Sequence, residues 1–483
     1  PDDPDFGKLY NMQNTGQTGG TPGADIKAVP AWELSRGSKN VLVGIIDTGI
    51  LYTHPDLSAN YWENPGETGL DASGNDKRTN GIDDDSNGYI DDYRGWDFIN
   101  NDNDPIDDHG HGSHCAGVIG AKGNNGIGIA GINWDVSLVA LKVFNASGST
   151  TTDALVSAIE YSNALGVNLT SNSWGGGQFS QVIHDAIKQA SDKGILFIAA
   201  SGNDGRDADT YIHYPSGYEM ENIISVAATD HNDKLADYSN FGVKTVDVAA
   251  PGSDIYSTVL NDAYETMSGT SMATPHVAGL AALIKAKYPN ATYIDIKNRI
   301  LNNVDIISDL QGRILTGGRI NAYASLEDDL IPPNEPRDIV IEETGLRTLN
   351  VSFMKAGDDG DQGSASRYEI RFLDRPITGE SEWTYASMLN AKISPHPKDA
   401  AGGRMLAKIT DLDLNQHGYF AIRAFDNAAN RGKISESVEF ETKKAVIIYR
   451  NNGDNLDGMT AEPPWGTEII DGNSVLSDSP GGG

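Results

Sequence analysis

The residues with chemistry to offer stand at the ends of apolar or small-residue runs. Gly269-Thr270-Ser271-Met272-Ala273-Thr274-Pro275-His276 sets a serine between small neighbours at the mouth of a helical pattern running from Thr270 to Lys287. A hydroxyl becomes a useful nucleophile only where a carbonyl can approach it, a base can take its proton and donors can hold the oxyanion. Gly269 admits close backbone, a helix N-terminus brings free N–H groups beside Ser271, and Pro275 is expected in a first helical turn, where its missing donor costs least. Taken alone, the serine reads more simply as a helix cap. His109-Gly110-His111-Gly112-Ser113-His114 offers a base, because an imidazole titrates near neutrality. Three histidines also suggest zinc, but a fixed further ligand is missing and the helix does not bring all three rings together. Asp47 and Asn203 add a carboxylate and an amide.

These groups need a scaffold. Val41 to Ile46 is an unbroken apolar run ending in Asp47-Thr48-Gly49, which suits a parallel strand buried on both faces. From Gly123 to Gly318 strands alternate with helices: a strand at 136–144, a helix at 153–165, a strand at 167–174, a helix at 181–193 and a strand at 195–200. That alternation predicts right-handed crossovers and an α/β fold, a doubly wound, mostly parallel sheet with helices on both faces. Such sheets keep their sites at the carboxyl ends of the strands, where Asp47, Ser173-Trp174-Gly175 and Ser201-Gly202-Asn203 fall. Residues 1–40 read as an extended arm over the core, with one short amphipathic piece at 28–32.

Three motifs in this order, Asp47-Thr48-Gly49, His111-Gly112-Ser113-His114-Cys115-Ala116-Gly117 and Gly269 to Gly279, resemble those of the subtilisin-like serine proteases over roughly residues 1–327. The resemblance implies Ser271 as nucleophile, His111 as general base, Asp47 as its orienting partner and Asn203 as oxyanion donor. It also implies substrate-binding roles for Ser173, Trp174 and Gly175, an edge that pairs with the substrate backbone, and for Ala200, Ser201 and Gly202, a wall of the pocket for the side chain before the scissile bond. His114 matches a structural position, and Cys115 matches a buried thiol beneath the catalytic histidine. Asp209 is a possible pocket acid but reads better as a solvated loop residue. The same site could transfer its acyl group to an amine instead of water, as a ligase or macrocyclase would. A third reading, an adhesion module with a vestigial site, sits poorly with all four groups being present.

Calcium is the expected cofactor at two places. Asp56 and Asn125, with Asp3 on the N-terminal arm, match a family calcium site. Independently of the resemblance, Asp83-Asp84-Asp85-Ser86-Asn87-Gly88-Tyr89-Ile90-Asp91-Asp92 spaces oxygens before a glycine, so Asp83, Asp85, Asn87 and Asp91 are candidate ligands. The twelfth position of that loop is Arg94, which leaves out the bidentate Glu of an EF-hand.

The 483 residues carry 68 acidic against 36 basic side chains, a formal charge of −32, which argues against nucleic acid or an anionic membrane as partner. No apolar run reaches the ~20 residues of a membrane span. With a single cysteine there is no internal disulfide, and acidity together with a start on Pro1 tilts the expectation towards a processed, secreted monomer acting on proteins or peptides. The resemblance implies a propeptide that chaperones and inhibits. The expected domains are a peptidase domain at 1–329, a Pro-rich linker at 330–336, a β-sandwich resembling fibronectin type III at 337–445, and a tail at 446–483 that starts a further module.

Overall fold

The computed structural model describes residues 1–328, residues 331–444 apart from 358–359, 362–363, 366, 400–402 and 427–429, and two strands at 466–470 and 473–477. The chain divides into two compact units, Pro1–Asp328 and Asp329–Gly483.

The first unit is built on a nine-stranded sheet. Its strands are β1 (Gly37–Asp47), β2 (Gly95–Asp97), β3 (Asp135–Lys142), β4 (Leu169–Asn172), β5 (Leu196–Ala200), β6 (Ile223–Thr229), β7 (Val248–Pro251), β10 (Val304–Ile306) and β11 (Gly318–Ile320). A separate hairpin pairs β8 (Ile255–Thr258) with β9 (Tyr264–Met267). The order in the sheet is β10-β11-β7-β6-β5-β4-β1-β3-β2, and every pairing is parallel except β10 with β11. Beside β1 the order changes direction, with β3 on one side and β4 on the other, so a crevice opens at the carboxyl end of β1.

Helices cover both faces, as the buried, unalternating strands require. They are α1 (Ala28–Ala31), α2 (His111–Gly120), α3 (Thr152–Leu165), α4 (Gln181–Asp192), α5 (Thr270–Lys287), α6 (Tyr293–Asn302) and α7 (Ala322–Leu326). One face of the sheet packs on α2 and α5, the other on α3 and α4. Helix α5 is apolar all round and its residues from Met272 to Ile284 are buried, which is why Ala and Gly dominate it. Thr292 and Asp295 close a reciprocal capping box on α6.

Two expectations change. The first residues do not merely lie over the core: Leu9, Tyr10, Met12 and Ile26 are fully buried parts of it, because the arm folds into a 3₁₀ turn at Phe6–Lys8 and packs under α5. Pro275 is not in a first turn but at the sixth position of α5, where it removes the N–H that would bond the Ser271 carbonyl. That carbonyl instead accepts from Ser173 Oγ at 2.8 Å and from Cys115 Sγ at 3.4 Å.

The second unit is β-rich. Strands Arg337–Thr344, Leu349–Met354, Arg404–Ile409 and Ala391–Pro395 form one antiparallel sheet. Strands Ser387–Met388, Arg367–Leu373, His417–Phe425, Arg431–Ile434 and Val438–Glu441 form a second. Leu349, Val351 and Phe353 of the first share a core with Ile370, Phe420 and Ile422 of the second. The expected tail at 446–483 lies outside the described residues except for an antiparallel pair, Gly466–Ile470 with Asn473–Ser477.

Candidate active site

Asp47 closes β1 and is buried, and its Oδ1 lies 2.7 Å from His111 Nδ1 on the first turn of α2. The same oxygen accepts the Thr48 N–H at 2.7 Å. A carboxylate only accepts, so Nδ1 carries the proton and Nε2 is left as the basic atom. Burial alone would lower the His111 pKa, but the charge and hydrogen bond of Asp47, with Asp107 behind, overcome it and raise the value. Asp107 fixes the turn that presents His111. Its carboxylate accepts from the N–H groups of His109, Gly110 and Ser113 and from the hydroxyls of Thr48 and Ser113.

Ser271 is the second residue of α5, with its hydroxyl donating to the Ser173 carbonyl at 3.1 Å. Asn203, just beyond β5, is held by its oxygen, which accepts the Thr270 N–H at 2.8 Å and the Thr270 hydroxyl at 2.9 Å. Its Nδ2 is thereby turned outwards. A Cβ built on Gly269 would sit 3.5 Å from the Ser271 nitrogen and 3.7 Å from Asn203 Nδ2, so the bare glycine leaves open a space bounded by both donors. That space has the form of an oxyanion hole.

Ser173, Trp174 and Gly175 follow β4, and Ala200, Ser201 and Gly202 end the neighbouring β5, so the two predicted substrate-binding segments flank one groove. Sequence reasoning missed a third contributor, His213. A Cβ on Gly175 would collide with its Cε1, and one on Gly202 would lie 2.7 Å from its Cδ2, so the ring edge fills the gap between the two glycines. The half-buried imidazole has its pKa lowered by burial, against the pull of Asp204. Two facing glycines were the available signal, since bare backbone on both sides asks for a bulky third residue.

The remaining histidines do not gather round a metal. His114 is buried, bonds the Ile255 carbonyl at 2.9 Å and is pushed down to about 4 by burial. His109 lies across from His111 with ring centroids 6.3 Å apart. Cys115 is fully buried one turn beyond His111, with its pKa well above the ordinary thiol value through burial and the nearby Asp47, so it is an inert thiol under the site. Asp209 is neither free in solvent nor in the groove: its carboxylate caps the turn at Lys244 and Thr245.

The two calcium readings fare differently. The loop at 124–129 wraps Asp56: Asn125 Nδ2 and the Ile129 N–H donate to its carboxylate, and Asp3 accepts the N–H groups of Asn124 and Asn125. A Cβ on Gly128 would collide with the Tyr264 hydroxyl and with Asp56 Oδ2, so this cradle tolerates only glycine there, and the Asp56 and Asp3 oxygens in it accept protein N–H and O–H donors. In the acidic loop the expected set is not brought together. Asp83 turns back to the N–H groups of Asn87 and Gly88, Asp91 to that of Gly81, and the Asn87 oxygen to that of Tyr89. Of the four, Asp85 is grouped with two further carboxylates, those of Glu67 and Asp92, and shares the Asn87 N–H with Asp83.

A hydrogen-bonded aspartate and histidine, a serine at a helix mouth and an amide beside it, all at the carboxyl ends of a doubly wound sheet, match the arrangement expected of a serine hydrolase of the subtilisin kind. Residues 38–334 match the Peptidase_S8 Subtilase family, and the chain belongs to it. It is 37% identical to thermitase of Thermoactinomyces vulgaris over 302 residues, 62% of this chain and 94% of that protein. It is 37% identical over 293 residues to a thermophilic serine proteinase of Bacillus sp. (strain AK1), 61% of this chain and 63% of the relative. The minor extracellular protease Epr of Bacillus subtilis (strain 168) is 34% identical over 279 residues, 58% of this chain and 37% of Epr. The chain is a subtilisin-like serine endopeptidase.

Proposed function

We propose that peptide bonds are hydrolysed here through an acyl-enzyme on Ser271. The 2.7 Å contact between His111 and Asp47, set against the Asn203 and Ser271 donors, carries this reading. The Ser271 hydroxyl turns from the Ser173 carbonyl to His111 Nε2, which takes its proton as Oγ attacks the scissile carbonyl. The oxyanion forms between the Ser271 N–H and Asn203 Nδ2. The imidazolium, held by Asp47, then protonates the leaving amine, and a water deprotonated by His111 releases the acid. The substrate backbone pairs with Ser173 to Gly175, and its side chain before the scissile bond enters the groove walled by Ala200 to Gly202.

Calcium would be held by Asp56 and Asp3 and, once the Asn125 amide turned its oxygen from the Ile127 N–H to the ion, by Asn125, where it would supply structural cross-linking. The name of the Epr relative and the acidic surface support secretion, and a propeptide and a monomeric state complete the proposal. The paired sheets of the second unit support a fibronectin type III-like sandwich. A fluorophosphonate with mass spectrometry tests the chemistry. A single adduct on Ser271, absent from Ser271→Ala, is expected, and no adduct on folded protein would defeat the proposal. Weighing the products of a peptide incubated with added amine distinguishes hydrolysis from transfer.

A further inference from the structure

We infer, building on the oxyanion role proposed for Asn203, that Asn240 is its positioning residue: one buried amide brackets Asn203 on both sides along the chain and fixes where the donor points.

Asn240 lies in the connection between β6 and β7, within Tyr238-Ser239-Asn240-Phe241, and is buried. Asn203, just beyond β5, is exposed. On the near side of Asn203, Asn240 donates twice, its Nδ2 to the Ser201 carbonyl at 2.9 Å and its backbone N–H to the Gly202 carbonyl at 2.9 Å. On the far side, its Oδ1 accepts the N–H groups of Asp204 at 3.1 Å and Arg206 at 3.0 Å. Two N–H groups facing one end of the amide and a carbonyl facing the other leave it a single orientation. The Ser201 hydroxyl closes the ring by donating to the Asn240 carbonyl at 3.2 Å.

Among the described residues no partner bonds the N–H or the carbonyl of Asn203 itself, so its backbone is placed by its neighbours. Those neighbours are tied to Asn240, and Asn240 is tied to the sheet. Ser239 Oγ accepts the Ala228 N–H of β6 at 2.9 Å, and a Cβ on Gly202 would collide with Asn240 Nδ2, so amide and backbone are in direct contact. The Asn203 side chain is clamped separately by Thr270, which holds its oxygen from α5. Two elements therefore aim Asn203 Nδ2, α5 through the side chain and the β6–β7 connection through the backbone. An oxyanion donor works only if it already stands where the charge will develop. Without the Asn240 side chain, the Ser201 carbonyl and the N–H groups of Asp204 and Arg206 lose their partner, and the 201–206 segment is free to carry Asn203 away from that point.

Steady-state kinetics of the full chain on a chromogenic peptide, with Asn240→Ala, Asn203→Ala and the double variant, decides the matter. Asn240→Ala should lower kcat by at least about tenfold with KM changed by less than about threefold, the mark of an interaction made only in the transition state. In the Asn203→Ala background the same change should cost less than about twofold, because no donor is left to aim. Asn240→Ser, with a shorter acceptor and a smaller void, should recover part of the lost kcat and takes the place of the alanine variant in the cycle if that one fails to fold. An equal loss of kcat in both backgrounds, or a raised KM at unchanged kcat, would overturn the inference and leave Asn240 a support of the pocket wall. An Asn203→Ala enzyme with undiminished kcat would instead defeat the oxyanion role and the aiming of it together, so the two failures are told apart.

Discussion

Because Asp47 holds His111 above the ordinary histidine range, the base form of the enzyme needs a higher pH than a free imidazole would. The acid limb of kcat/KM is expected above ~6.5. Asp47→Asn should lower kcat about 10⁴-fold and move the limb down, since burial then outweighs the remaining pull of Asp107. The Asp47 pairing favours charged His111, so its contribution to stability is present below the unfolded value and fades as pH rises through the raised one. Asn203→Asp keeps the oxygen that receives the Thr270 N–H but loses the donor, so turnover should fall by about 10²–10³ with little change in melting temperature. His213 gives a different pH signature. Below its lowered pKa it becomes a cation in the groove, so cleavage after Glu relative to Leu should rise on acidification. His111 cancels in that ratio, and a flat ratio is expected of His213→Gln. Asp47, His111, Asn203 and Ser271 could be picked out of the sequence as candidates because few residue types do this chemistry and each sits in a local motif. His213 and Asn240 could not, because what gives them meaning lies across the fold.

At the scale of elements, α5 shows how one residue can redirect backbone bonding. Pro275 leaves the Ser271 carbonyl without its helical partner, and Ser173 Oγ takes the place while the Ser173 carbonyl accepts the Ser271 hydroxyl. Ser173→Ala and Pro275→Ala should therefore be coupled. Ser173→Ala alone is expected to cost about 1 kcal/mol, and less when Pro275→Ala restores the missing N–H, with a double-mutant cycle in urea reading at least ~0.5 kcal/mol of coupling. Additive effects would show that the carbonyl is not shared in this way. The central strands and α5 were readable from apolar runs and small-residue periodicity. The place of Pro275 was not, because helix starts carry weaker signals than helix bodies, and Gly269 caps this one without any side chain.

For the whole molecule, every residue of the proposed site lies in the first unit, Pro1–Asp328. A chain ending after Asp328 should keep fluorophosphonate labelling at Ser271 within about twofold, and loss of labelling would mean the second unit supports the site. Chelation should lower the melting temperature of the full chain, since an ion bound only by the folded state stabilises it by mass action. The alternating texture of the first unit was legible, and so was the change of texture after Leu326, but not the burial of the N-terminal arm, whose Gly- and Asn-rich sequence shows no period. That burial has a consequence for how the protein is made. Asn11 bonds His276 at 2.7 Å, on the helix that carries Ser271 and 265 residues further along the chain. The arm emerges from the ribosome well before α5 and must wait, its Leu9, Tyr10 and Met12 exposed, until that helix arrives. The proposed nucleophile is thus mounted on a helix whose docking also closes the contact with the arm, so arm and site are expected to form together.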